Sequence, residues 1–275
     1  MQTSRARAAS HAAPRVIRRR EVGGLMLSEC AYPPGLRMPK HDHEPAYFSL
    51  VLSGAYTETI GSTQLAGNPS SLVAHPPERA HAVAFHEREV RIFRAEVRPR
   101  WLELRREYSV NIETPACFEG GAAVGHALRL YMEFRAADNY TPLAVEGIML
   151  EMLAEISRRA EPAEGRRAPR WLERAREILH EQACVIPTLA SLAASVGVHP
   201  VHLAHEFRKF YRESVGEYAR RLRVEAACRE VAQSERPLSE IAADAGFYDQ
   251  SHFSNAFKRH TGLTPAAFRS AARSN

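Results

Sequence analysis

Three regimes of hydrophobic spacing follow one another along the chain. From about residue 21 to 97, apolar residues alternate with polar ones or gather in short runs. AYFSLVLSGAYTETIG, residues 46–61, is rich in β-formers, and its Ser53-Gly54 and Ile60-Gly61 read as turns. Val90-Arg91-Ile92-Phe93-Arg94 repeats the strand pattern. From about 100 to 160 the apolar spacing becomes three and four, and GHALRLYMEFRAA and PLAVEGIMLEMLAEISRRA predict amphipathic helices. AEPAEGRRAPR, residues 160–170, is rich in Pro, Gly, Ala and charge, which predicts a linker. Beyond it the chain reads as helix, turn and helix.

In that last third one pattern occurs twice. In TLASLAASVGVHPVHLAHEFRKF, residues 188–210, the stripe Leu189, Leu192, Ala193 and Val196 is followed by Gly197, a helix stop that takes left-handed backbone at little steric cost. Pro200 suits the first turn of the next helix, where its missing N–H costs nothing. Leu203 and Phe207, four apart, anchor that helix inward. In PLSEIAADAGFYDQSHFSNAFKRHTG, residues 237–262, Ile241, Ala242 and Ala245 form the stripe and Gly246 the stop. Asp249 reads as an N-cap, and Phe253 and Phe257 are the anchors. YARRLRVEAACREVAQS predicts the long helix that joins the two units. This is a helix-turn-helix used twice.

Burying Phe253 and Phe257 turns Gln250, Ser251, Ser254 and Asn255 outward near the start of their helix. The second helix of a helix-turn-helix enters the major groove, where its early residues meet base edges. Gln and Asn pair bidentately with adenine, and Ser pairs with several bases. Lys258 and Arg259, further along, suit phosphate, as do Arg208 and Lys209 in the first unit. A polar face that merely meets water is the plain alternative for one such helix; the second copy weighs against it.

Charge is consistent with this division. Residues 1–20 carry 6 Arg and no acid; residues 21–165 carry 14 Lys+Arg against 20 Asp+Glu; residues 166–275 carry 17 against 12. A basic C-terminal third after an acidic middle suits a polyanionic partner. The four cysteines, Cys30, Cys117, Cys184 and Cys228, form no CxxC and read as reduced thiols. No apolar run is long enough to span a bilayer, and the basic N-terminus has no apolar core of a secretory signal, so a cytoplasmic location is expected.

SLAASVGVHPVHLAHEFRKF, EYARRLRVEAA and SEIAADAGFYDQSHFSNAFKRHTGLTPAAFR resemble the DNA-binding domain of AraC-type transcriptional regulators over the last ~105 residues. The resemblance implies that each unit puts one helix into successive major-groove segments of double-stranded DNA. It implies base-facing positions at Val201, Ala204 and His205 in the first unit and at Gln250, Ser251, Ser254 and Asn255 in the second. Three residues depart from the family pattern. Arg212 stands where a Gly usually ends the first reading helix, Asn255 where an Arg is common, and His199 where a Ser caps.

In the N-terminal half, GLRMPKHDHEPAYFSLVLSG, residues 35–54, resembles the first motif of cupin barrels, and HPPERAH, residues 75–81, the second. His41 and His43 share one face if both lie on a strand, and His81 meets them across a small barrel. Tyr47 occupies the place of the metal carboxylate, so the barrel is expected to work without a bound metal or cofactor, as an effector pocket of His41, His43, Tyr47 and His81. His75, His86 and His126 read as surface or packing residues. Leu128, Tyr131 and Met132, with Leu150, Leu153 and Ile156, form either a homodimer interface or the packing face toward their own barrel.

The expected architecture is α+β: a cupin-like β-barrel followed by helices, then an all-α domain with two helix-turn-helix units. Residues 1–20 are expected as a disordered basic arm, 21–160 as the sensor domain, 161–170 as linker and 171–275 as the DNA-binding domain. The expected function is a sequence-specific transcriptional regulator, not an enzyme, that answers to a small-molecule effector and meets RNA polymerase if it activates. The alternative is a metal-dependent cupin enzyme or metal sensor fused to a DNA-binding domain.

Overall fold

The computed structural model describes residues 13–103, 114–160, 168–181, 187–211 and 213–273. Most of the expected arm (residues 1–12), most of the expected linker (161–167), Cys184 and Arg212 lie outside the described residues.

The N-terminal half is a barrel of two antiparallel sheets. One holds six strands in the order β1 (Arg15–Val22), β2 (Leu25–Tyr32), β9 (Val90–Val97), β4 (Ala46–Ser53), β7 (Leu72–His75), β10 (Ala116–Phe118). The other holds β3 (Arg37–His41), β8 (His81–Phe85), β5 (Tyr56–Ile60) and β6 (Thr63–Gly67). The short helix α1 (Pro99–Glu103) leaves the barrel, and α2 (Gly121–Ala136) and α3 (Thr141–Ala160) follow it. One expectation is corrected here. Residues 15–20, expected in a disordered arm, form most of β1, paired with β2 from Arg15↔Ala31 to Val22↔Leu25. The backbone ladder supports this strand, while its mostly exposed arginines suit the charged edge of a sheet.

The central strands are buried on both faces, so their sequence runs continuously apolar instead of alternating. Along β4, Phe48 and Leu50 point out to α2 and α3, while Tyr47 lines the barrel and Val51 packs among the rings inside it. On β9, Phe93 and Ala95 face outward and Ile92 inward. Leu128, Tyr131, Leu153 and Ile156 are buried in this chain's own core. Met132 remains 43% exposed and Leu150 packs at the margin.

The C-terminal third is all helix: α4 (Arg170–Glu181), α5 (Leu189–Ser195), α6 (Pro200–Tyr211), α7 (Val215–Gln233), α8 (Leu238–Asp244), α9 (Gln250–Thr261) and α10 (Pro265–Arg273). Its hydrophobic interior divides within α7. Leu172, Leu192, Leu203, Phe207, Tyr218 and Leu222 form one cluster. Cys228, Val231, Phe253, Phe257 and Phe268 join a second, continuous with α2, α3 and the outer face of the barrel. The chain end is fastened by arginines. Arg269 and Arg273 of α10 donate from Nε to the carbonyls of Val231 and Ala232, each at 3.0 Å, satisfying acceptors at the end of α7. No described helix is long and apolar enough to cross a membrane.

Candidate functional site

The two helix-turn-helix units share their local construction. Gly197, two residues past the end of α5, has φ 71°, and Gly246, two past the end of α8, has φ 73°; both angles favour glycine. α6 then starts at Pro200 and α9 at Gln250. Asp249 caps α9 by accepting from the His252 amide at 2.6 Å, an interaction worth about 1 kcal/mol. At the first unit His199 takes the capping part itself: its Nδ1 accepts from the Val201 amide at 3.3 Å. An imidazole thus stands in for the usual hydroxyl. α7 opens on a capping box, Ser214 and Glu217 each satisfying the other's amide. Glu217 consequently stays below the usual carboxylate range, its charged form held by the Ser214 hydroxyl and amide.

Leu203 and Phe207 in α6, and Phe253 and Phe257 in α9, are fully buried. Their burial fixes the rotation of each helix, and with it the outward set. Gln250, Ser251 and Asn255 are exposed and Ser254 is half-buried. In α6, Val201 is 70% exposed, Ala204 is half-buried, and His205 is exposed with its Nδ1 3.1 Å from Glu206 Oε1. Lys209 lies 3.9 Å from Glu206. Arg208, Lys258 and Arg259 are exposed and make no ion pair among the described residues. One feature escaped the sequence reading. Tyr248, in the turn before α9, is 95% exposed beside the polar face. The stop-and-cap pattern accounts for Gly246 and Asp249 alone and gave no sign of Tyr248 between them.

Strand register builds the second cluster. β3 and β8 pair His41 with His81, and β4 and β7 pair Tyr47 with His75. His43 lies just beyond β3, not on it, yet its ring is 5.1 Å from that of His41 and 5.4 Å from that of His81. One ring nitrogen from each of His41, His43 and His81 falls within 4.8 Å of the others. Tyr47 stacks on His75 at 4.0 Å between centroids, and its hydroxyl lies 3.2 Å from Nε2 of His81. The Arg94 guanidinium covers the other side of the Tyr47 ring at 4.5 Å. Burial drives the His43 pKa down to about 4, helped by the nearby Arg94 charge, so this imidazole is neutral at pH 7. Burial likewise lowers His75 and raises Tyr47.

Glu58 is the barrel residue that sequence reasoning missed. It is 1% exposed, with Oε1 3.2 Å from Nδ1 of His75 and 3.9 Å from Nε2 of His81. The signal was there: in Tyr56-Thr57-Glu58 the strand alternation sends Glu58 to the same inner face as Tyr56. His75, read as a surface or packing residue, is buried and belongs to this polar group. His86 is exposed, and His126 lies at 3.3 Å from Glu151 on the helices.

A helix-turn-helix domain family matches residues 192–271, the stretch from α5 to α10. Regulatory protein SoxS of Salmonella typhimurium is 35% identical over 78 residues, which are 28% of this chain and 73% of SoxS. The chain belongs to the AraC-type family of transcriptional regulators. The arabinose operon regulatory protein of Salmonella typhimurium is 33% identical to this AraC-type regulator over 81 residues, 30% of the chain and 29% of that protein. The bifunctional transcriptional activator/DNA repair enzyme AdaA of Bacillus subtilis is 31% identical over 99 residues, 36% of this chain; the chain spans 47% of AdaA's length. The family match lies wholly in the C-terminal third, and the two-sheet barrel lies outside it.

Proposed function

We propose that this AraC-type chain is a sequence-specific regulator in which α6 and α9 read double-stranded DNA while the barrel takes a small effector. One observation carries the reading. Two helices with the same glycine stop and buried anchors each turn an open N-terminal face outward, with cations following it. That order of groups matches base edges first and phosphates after. The units are unequal. Gln250, Ser251, Ser254 and Asn255 supply most of the hydrogen-bonding capacity, so α9 carries most of the sequence preference. Val201 and Ala204 offer apolar contact to thymine methyls, and α6 contributes chiefly position.

The shared core supports a route from barrel to DNA. α2 touches the barrel sheet on one side and α9 and α10 on the other, so a shift of the barrel reaches the reading helix through one packed element. The barrel acts as a sensor rather than an enzyme, with His41, His43, Tyr47 and His81 around its ligand site. Selection of oligonucleotides from a random pool, followed by fluorescence anisotropy on the selected site, tests the reading. Enrichment of one motif supports it; binding of all sequences alike overturns it.

A further inference from the structure

We infer that Tyr248 grips the DNA backbone: its hydroxyl donates to a phosphate on the wall of the major groove opposite the one that Lys258 meets. The inference rests on the proposed reading of α9. It adds a contact that neither the base-facing residues nor the cations supply.

Spacing isolates the residue. From the glycine stop to the first buried anchor is six residues in the first unit, Gly197 to Leu203, and seven in the second, Gly246 to Phe253. The second turn is longer by one residue, and packing says which. Val198 after the first stop and Phe247 after the second both turn inward, each against the core of its own unit. His199 and Asp249 each cap the helix that follows. Tyr248, between Phe247 and Asp249, has no counterpart in the first unit.

The turn that presents it is fixed on both sides. Phe247 is 6% exposed and meets the rings of His252 and Phe253, at 5.3 and 5.2 Å between centroids. Asp249 accepts from the His252 amide. Tyr248 itself is 95% exposed and makes no side-chain hydrogen bond or ring contact among the described residues. A large ring left wholly in water forgoes the stabilisation of burial, and a second surface recovers it.

Position and chemistry choose that surface. Tyr248 lies just ahead of Gln250 and Ser251, the first base-facing residues, and Lys258 lies in the last turn of the helix. From Gln250 to Lys258 the helix rises about 12 Å, the width of the major groove. With the base-facing residues in the groove, the residue ahead of them meets one wall and Lys258 the other. Those walls are phosphate and deoxyribose. A phenol hydroxyl donates to a phosphate oxygen while its ring covers the sugar, contacts that fix register without reading sequence. Unlike a lysine, a phenol carries no positive charge and releases no counterion, so its contact leaves the salt dependence unchanged.

The test uses the full chain and the duplex selected from the random pool, by fluorescence anisotropy across a salt series. Tyr248→Phe should weaken binding about 3–30-fold, with the salt slope and the base preference unchanged. Tyr248→Ala, which also loses the ring, should weaken it further. Circular dichroism should match the wild type in both, because the side chain packs on nothing. Duplexes with one methylphosphonate at a time then locate the contact. At one phosphate the substitution should cost the wild type more than it costs Tyr248→Phe. The phosphate found in the same way with Lys258→Ala should lie on the opposite strand. Wild-type affinity in both tyrosine variants overturns the inference, as does an altered salt slope, a loss confined to one base position, or both phosphates on one strand. A wild-type chain that enriches no motif sinks the regulator reading and the inference with it. Enrichment of a motif by the wild type, beside tyrosine variants that bind as it does, sinks the inference alone.

Discussion

Gly125 of α2 lies directly against the carbonyl of Thr261, the last residue of α9. A Cβ on Gly125 would fall 1.7 Å from that oxygen, so the two helices meet with no room for a side chain. Thr261 is itself fully buried, and its hydroxyl accepts from the Leu263 amide at 3.2 Å, which fixes the end of the reading helix. The N-terminal half and the second unit thus touch through backbone.

Gly125→Ala should therefore push α2 and α9 apart. Overpacking of this kind costs about 1–3 kcal/mol, and more where backbone must move. Calorimetry should show the barrel and the second unit unfolding separately in the variant and together in the wild type. Identical traces would mean that the contact opens freely in solution.

Cys228 offers a chemical readout of the same interface. It is buried on α7 beside Gly120 and Gly121, and burial pushes its thiol up to about 12. At pH 8 that leaves only about one thiolate in 10⁴, against roughly a quarter for a free cysteine. Mass spectrometry after alkylation should find Cys228 protected in the wild type and modified much faster in Gly125→Ala. Rapid wild-type labelling would show that the interface is already open.

The divided interior predicts different outcomes for two equivalent phenylalanines. Phe257→Ala and Phe207→Ala should each cost about 3–5 kcal/mol. Phe257 belongs to the cluster shared with α2 and α3, so its loss should lower the barrel's transition too. Phe207 belongs to the cluster of α4 to α7, and its loss should leave the barrel unaffected. Equal effects of both on the barrel would contradict the division within α7.

The reading units were legible because their signals are local. A glycine stop, a cap and two phenylalanines four apart fix a short helix and its rotation without knowledge of the rest of the chain. The contacts between distant segments were not. Gly125 sits within a helical pattern, and nothing in its neighbours reveals a backbone carbonyl 136 positions away. The alternation that would have turned Glu58 inward was present, but the barrel's polar group became visible only when register set Tyr47 opposite His75 and His41 opposite His81. β1 was hidden for another reason: its exposed arginines look like a solvated arm, and only the ladder to β2 makes them a strand.

The central claim is that α9 reads bases and its later cations hold phosphates. The most direct measurement is affinity for the selected duplex and for a scrambled one, across a salt series, for Gln250→Ala, Asn255→Ala and Lys258→Ala. The two polar variants should lose about 1–3 kcal/mol on the selected site and little on the scrambled one. Lys258→Ala should weaken both duplexes alike and reduce the salt slope by about one. Unchanged discrimination in both polar variants, with an unchanged slope in Lys258→Ala, would contradict the account.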